Sequence, residues 1–194
     1  MNKNRPFILG VAGKPASGKT EVLNILAKEG WCTVNCDEVV HALYEAGGDG
    51  QRKIVDFFGE EFLRKDGSVN RKKLRKIVFK DVKKLKILNA LIHPLVLSEV
   101  GKRIDKCDGE KMAVEAIYFD DKFLGNLVDG ILSVERGTAD IEKVLIGRGL
   151  TMDMAQGVLD AYVEPVKKDF LLKNNSTLKE LAKKVIMTLD KFKF

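Results

Sequence analysis

The amino-acid sequence predicts an α/β protein built on a central parallel sheet of about five strands, and three observations carry that expectation. Phe7 to Ala12 ("FILGVA") is a continuous apolar run of strand length, the pattern of a strand buried on both faces. A glycine-bracketed loop follows, and after Lys19 the apolar residues Val22, Leu23, Ile25 and Leu26 share one helical face that ends at Gly30. Trp31 to Cys36 then reads as a second strand, ending at Asp37. Strand, loop, helix, strand is how a parallel sheet begins.

The middle of the chain changes character. From Glu38 to Lys106 helix signals are nearly unbroken, with turns at Gly47-Gly48, Gly59 and Asp66-Gly67. This stretch, about residues 38–109, is expected to be a helical insertion between the second and third strands, not a domain joined by a linker. Lys111 to Phe119 ("KMAVEAIYF") and Gly130 to Val134 ("GILSV") return to strand character. A helix is expected at about 138–147 and another over 151–169, separated by "GRGL". Phe170 to Lys173 is the last strand candidate. The final helix is expected from near Thr177, with Leu178, Leu181, Val185, Ile186 and Leu189 at helical spacing. Residues 1–194 are thus read as one domain whose core comprises about 5–37, 110–136 and 170–194.

Composition narrows the function classes. The chain has 194 residues, 45% hydrophobic and 32% charged, which describes an ordinary folded protein. A net charge of +6 suits polyanionic ligands such as nucleotides and phosphorylated cofactors. The basic residues are spread from Arg5 to Lys193 with few aromatics among them, so no nucleic-acid partner is expected. Cys32, Cys36 and Cys107 form no C-x-x-C pair and are expected to be three unpaired thiols in a reducing cytosol. His41 and His93 are too few and too scattered for a zinc site. There is no signal-peptide architecture over residues 1–12 and no apolar stretch near the ~20 residues that span a bilayer, so a cytoplasmic protein away from membranes is expected. A monomer or weak homo-oligomer is expected.

The chemistry begins in the loop. Residues Gly13, Lys14, Pro15, Ala16, Ser17, Gly18, Lys19 and Thr20 fit the phosphate-binding pattern G-x-x-x-x-G-K-[ST]. In such a loop backbone N–H groups surround a phosphate, which is why glycines are needed: Gly13 permits the tight exit from the strand and Gly18 leaves room beside the phosphate. Lys19 would reach the β- and γ-phosphates of ATP, and the Thr20 hydroxyl would ligate Mg²⁺. Phosphoryl transfer also needs a group to orient and deprotonate the acceptor. Asp37, at the carboxyl edge of the sheet, is placed either to take a proton from an acceptor hydroxyl or simply to cap a helix. Glu115 falls inside the third strand, where a buried charge needs a partner: Mg²⁺ or its waters, or a lysine. His41 lies one helical turn after Asp37 and could line the acceptor site. His93 precedes Pro94, which favours an extended, structural residue.

These segments together resemble the dephospho-coenzyme A kinases of the P-loop kinase superfamily. After the loop, "VNCDEVVH" is similar to the family's second-strand signature, with Asp37 and His41 at its acid and histidine. "FGEEFLRKDGSVNRKKLRKIVFKD", from Phe58 to Asp81, resembles its most specific run, and "LNALIHPLV" its helix ending in His-Pro. "RGLT" at Arg148 to Thr151 and "NNSTLKEL" at Asn174 to Leu181 resemble its lid and its last-strand loop. The resemblance covers about residues 7–185. It implies a three-layer sandwich with a helical acceptor-binding insertion and a lid at about 138–169. It also implies transfer of the ATP γ-phosphate to the ribose 3′-hydroxyl of dephospho-coenzyme A. By the same resemblance Asp37 is the general base, Lys19 and Arg148 act on the phosphates, Arg148 and Asn175 contact the nucleotide, and Asp37, His41, Arg71, His93 and Glu115 contact the acceptor. Several positions depart from the family pattern: Lys14 and Ala16 stand at loop glycines, Asn35 at the first acid of D-x-D, Glu115 at the third-strand aspartate with no proline after it, the lid arginine one place along at Arg148, and no Gln-x-Pro element follows the lid helix. Another small-molecule P-loop kinase, or a non-catalytic nucleotide or coenzyme A sensor on the same fold, is the alternative.

Overall fold

The computed structural model describes residues 5–117, 119–121, 123–160, 162, 164 and 168–190. Two compact units emerge: Cys36–Arg103 forms one, and the chain up to Asn35 together with that from Ile104 forms the other.

The unit formed by the two flanking segments is built on a five-stranded, all-parallel sheet: β1 (Phe7–Ala12), β2 (Cys32–Asn35), β3 (Lys111–Glu115), β4 (Gly130–Glu135) and β5 (Phe170–Lys173), in the order β2-β3-β1-β4-β5. The chain leaves β1 toward one edge and later crosses to the other, so β1 lies between β3 and β4 and the loop after it emerges at the point where ligands bind open parallel sheets. Helices α1 (Lys19–Lys28) and α8 (Leu178–Leu189) cover one sheet face. Leu9, Val11, Ala113, Leu132, Val134 and Leu172 pack there against Val22, Leu26, Leu181 and Val185. Alternate residues Ile8, Met112, Val114 and Ile131 are buried too, which is why β1 is apolar throughout.

Helix limits follow from caps. Gly30 ends α1 with φ of 82°, donating to Ala27 O while the Trp31 amide returns to Leu26 O. Thr177 and Glu180 cap α8 reciprocally. Helix α6 (Thr138–Gly147) stops in the same manner as α1: the Gly149 amide bonds Ile146 O and the Leu150 amide bonds Leu145 O, so "GRGL" is a helix stop followed by an apolar anchor. Leu150 packs on a small core of Ile141 and Leu145 from α6 with Ala155 and Leu159 from α7 (Met152–Asp160).

Several expectations need correcting. Strand β3 ends at Glu115, not Phe119, because β1 turns into its loop after Ala12 and removes the pairing partner; Tyr118 lies outside the described residues. Helix α7 stops at Asp160 instead of 169: Glu164 precedes Pro165, which disfavours helix, and residues 161, 163 and 165–167 lie outside the described residues. Cys32 and Cys107 are joined in a disulfide that does not include Cys36, so the reading of three unpaired thiols does not hold. The two cysteines flank the whole Cys36–Arg103 segment in sequence. Fold proximity, not sequence spacing, pairs them.

The second unit is helical: α2 (Cys36–Leu43), α3 (Asp49–Phe58), α4 (Arg71–Val78) and α5 (Val82–Asp105), whose last two residues belong to the sheet-bearing unit. Between α3 and α4 the chain makes a tight hairpin in which Leu63 bridges Val69, Arg64 N–H donates to Ser68 O, and Gly67 takes φ of 82°. Asn70 then caps α4 by accepting from the Lys73 amide. Pro94 does not end a helix as expected. Helix α5 runs through it, and His93 is helical, because Ile92, Val96 and Val100 bury one continuous stripe on both sides of the proline. Among the described residues no helix is long and apolar enough to cross a membrane.

Candidate active site

The loop after β1 is held by its own backbone and by one asparagine. Gly13 (φ 150°) and Gly18 (φ 104°) have no room for a side chain: a Cβ on Gly13 would lie 2.4 Å from Val134 O, and one on Gly18 would lie 2.1 Å from Asn174 Nδ2. Asn174, at the end of β5 and buried, donates Nδ2 to Ser17 O at 2.8 Å and so backs the loop from behind. Asn175, expected to contact nucleotide, is exposed and accepts from Lys184 Nζ at 3.2 Å. Sequence reading thus passed over Asn174; its signal was only that it sits where a strand ends beside the loop, on the carboxyl edge.

Ala16 occupies the left-handed region at φ 60°, the one described non-glycine residue with positive φ. That conformation costs an L-residue roughly 1–2 kcal/mol. Its methyl packs against the α6–α7 core, which offsets part of the cost. Lys14 and Pro15 are half-buried, and the Lys14 side chain lines a cleft of about 180 Å³ with Arg136, Tyr162, Glu164 and Lys168. Burial, with Glu164 and Glu135 nearby, pushes the Tyr162 phenol up to about 12. The hydrogen bond from Lys168, and then its charge, hold the exposed Glu164 low.

The Lys19 ammonium is buried and donates to Gly13 O and Lys14 O, each at 3.1 Å, so it lies inside the curl of the loop. Ser17 is fully buried, and its Oγ has no hydrogen-bond partner among the described residues. An orphaned hydroxyl within a concave backbone loop at a helix N-terminus is the donor set that a phosphate needs. Thr20, the second residue of α1, donates Oγ1 to Glu115 Oε1 at 3.1 Å. Glu115, buried at the end of β3, accepts at its other oxygen from Asn35 Nδ2 at 3.0 Å. A threonine and an asparagine are thus among its partners. Among the described residues no group of three or more His, Cys, Asp or Glu forms a metal cage. One hydroxyl and one carboxylate nonetheless fit Mg²⁺, which takes few protein ligands when phosphate oxygens and water supply the rest.

In the helical unit, Asp37 does not end β2 and is not an N-cap: the strand stops at Asn35 and α2 begins at Cys36, putting Asp37 exposed in its first turn. A carboxylate there is favoured by the helix dipole. His41 is exposed one turn later, its Nδ1 3.8 Å from Glu45 Oε1. Arg71, the first residue of α4, is half-buried, and its pKa is pushed down by burial and by the like charges of Arg75 and Arg64, while Asp37 and Tyr44 oppose that shift. Tyr44 is itself buried, and burial raises its phenol to about 12 against the pull of Arg71 and Arg75. Asp37, Tyr44, Arg64, Arg71 and Arg75 thus share one electrostatic neighbourhood. Arg64, in the hairpin before α4, and Arg75, within α4, gave no sequence signal of this neighbourhood. His93 is half-buried within α5. In the other unit, Arg148 is exposed at the C-cap of α6, its amide bonded to Val144 O and Leu145 O.

Comparison with known proteins identifies the family to which the chain belongs. The family profile of dephospho-CoA kinases matches residues 7–180. The chain is similar to the dephospho-CoA kinase of Listeria monocytogenes, 31% identical over 192 residues covering 95% of this chain and 96% of the relative. It is also similar to that of Fusobacterium nucleatum, 33% identical over 92% of this chain and 95% of the relative. Among solved structures a Thermus thermophilus protein superposes with a TM-score of 0.81 at 21% identity, covering 98% of this chain and all of that one. A dephospho-CoA kinase from Campylobacter jejuni superposes with a TM-score of 0.64 at 21% identity over 95% of this chain and 96% of its own, and these two share the fold. With a family match over most of its length, the chain belongs to the dephospho-CoA kinase family of P-loop kinases.

Proposed function

We propose that this protein transfers the γ-phosphate of ATP to the ribose 3′-hydroxyl of dephospho-coenzyme A, giving coenzyme A and ADP, with Asp37 as general base. Family membership makes it an ATP-dependent kinase of coenzyme A biosynthesis. The single observation that carries the finer reading is the loop with its buried Lys19 and orphaned Ser17 hydroxyl, preceding a family-specific helical segment that clusters Arg71 with Asp37.

Each residue has a physical role in this reading. The amides of the loop and the Lys19 ammonium hold the β- and γ-phosphates, and the lysine charge is best matched to the transition state. Thr20 and Glu115 would hold Mg²⁺, which when bound neutralises charge on the phosphate oxygens. Asp37 accepts the 3′-hydroxyl proton as the new P–O bond forms. Arg71 meets the pyrophosphate of the acceptor, a task suited to a planar guanidinium, and His41 and His93 line the acceptor site. Residues 138–169 act as a lid carrying Arg148 to the nucleotide and excluding water, so that transfer to a sugar hydroxyl outruns hydrolysis. The chain acts as one kinase domain with 38–109 as its acceptor-binding insertion.

A panel of acceptors tested with Mg-ATP decides between this and another small-molecule kinase. Phosphorylation of dephospho-coenzyme A well above nucleosides, nucleotides and sugars is the expected result. Binding of both ligands with no transfer would instead favour a sensor.

A further inference from the structure

We infer that Asn35 is a positioning residue for the metal-binding carboxylate, and that Asn35 and Glu115 work as one unit. The inference rests on reading the loop as a nucleotide–Mg²⁺ site, and it adds a residue to which no role has been given. Asn35 and Glu115 are register partners on the parallel strands β2 and β3, and each is the last residue of its strand. A carboxylate only accepts hydrogen bonds, so the asparagine amide must present its nitrogen. Nδ2 does so at 3.0 Å from Oε2, and this leaves Oε1 aimed at Thr20 Oγ1 3.1 Å away. The two oxygens of one buried carboxylate are thereby assigned: one is tethered to the edge strand, the other shares the threonine that a P-loop offers to its cation.

The neutrality of Asn35 matters as much as its donor. An acid at this position would set two carboxylates side by side, and like charges at such separation cannot both stay ionised cheaply without a cation between them. With an amide instead, the partner orients the carboxylate without adding a charge of its own. Partners of this kind, which orient a ligand without touching the metal, govern metal affinity strongly. Asn35 therefore sets how much Mg²⁺ strengthens nucleotide binding.

The test is calorimetric titration of ADP into the full-length protein with Mg²⁺ and with chelator, which needs no acceptor and no turnover. In Asn35→Leu, similar in volume but with no donor, the strengthening of ADP binding by Mg²⁺ should shrink about 10-fold or more, with metal-free ADP affinity unchanged. In the near-isosteric Asn35→Asp the same increment should grow, because the cation relieves the repulsion. A packing role for Asn35 cannot move the two variants in opposite directions. Equal increments in the wild type and both variants would overturn the inference alone. Wild-type protein whose ADP affinity ignores Mg²⁺ would overturn the nucleotide–metal reading, and the inference with it. Dephospho-coenzyme A turnover, measured separately, judges the proposed function.

Discussion

The two units are built to meet anions in different ways. In the sheet-bearing unit the groups proposed to hold phosphate are backbone amides, in a loop shaped by glycines at φ of 104° and 150° and by a lysine pulled inside it. Charge there is buried and locked. In the helical unit the cations are side chains: Arg71 is half-buried and its pKa is lowered by burial and by Arg75 and Arg64, while the charge of Asp37 opposes that shift. Like charges gathered at partial burial are unfavourable until an anion arrives. If the proposed roles hold, the difference teaches that the donor end is a cradle already shaped by its backbone, whereas the acceptor end is a charge arrangement that its ligand completes.

Substitutions can break that contrast, beginning with the largest effect. Lys19→Ala should slow phosphoryl transfer by about 10³-fold in single-turnover assays, since it removes a donor matched to the transition state. A loss confined to the KM for ATP would instead make Lys19 a ground-state clamp. Asp37→Asn should lower turnover by at least ~10²-fold while ADP affinity is kept, and near-normal turnover would remove its role as base. Arg71→Ala should raise the KM for dephospho-coenzyme A by roughly 10–100-fold, the worth of hydrogen bonds to a charged group, with the KM for ATP unmoved. Equal changes in both constants would erase the division of labour.

Two smaller effects sharpen the comparison through stability. The folded-state pKa of Tyr44, about 12, lies above its unfolded value, so its contribution is intact below pH 10 and is lost as pH rises toward 12. Denaturation at pH 11 should show wild type losing about 1.4 kcal/mol more than Tyr44→Phe relative to pH 8; equal losses would place the phenol in water. Ala16→Gly should change stability by less than about 1 kcal/mol, because relief of the left-handed conformation opposes loss of the methyl contact with the α6–α7 core. A large destabilisation would mean that the methyl contact dominates.

What could be read in advance follows the same division. The loop was legible because backbone chemistry imposes fixed residue types at fixed spacing, and the parallel sheet because buried strands are apolar throughout. Caps and stops at Gly30, Gly149 and Thr177 were legible for the same local reason. The Cys32–Cys107 pair, the Asn174 brace and the arginines around Tyr44 were not, since each joins residues that only the fold brings together. Asn35 and Glu115 show the limit best. In sequence they are two separate departures from a family pattern; in the sheet they are register partners joined by one hydrogen bond. Pro94 misled for the opposite reason: a local rule was overridden by the stripe of Ile92, Val96 and Val100 that packs on either side of it.

The most direct test follows the phosphate itself. Protein incubated with Mg-ATP and dephospho-coenzyme A should yield coenzyme A and ADP in equal amounts, with phosphorus NMR placing the new phosphate on the ribose 3′-oxygen. ADP released with no phosphorylated product, or a phosphate found at any other position, would contradict the account.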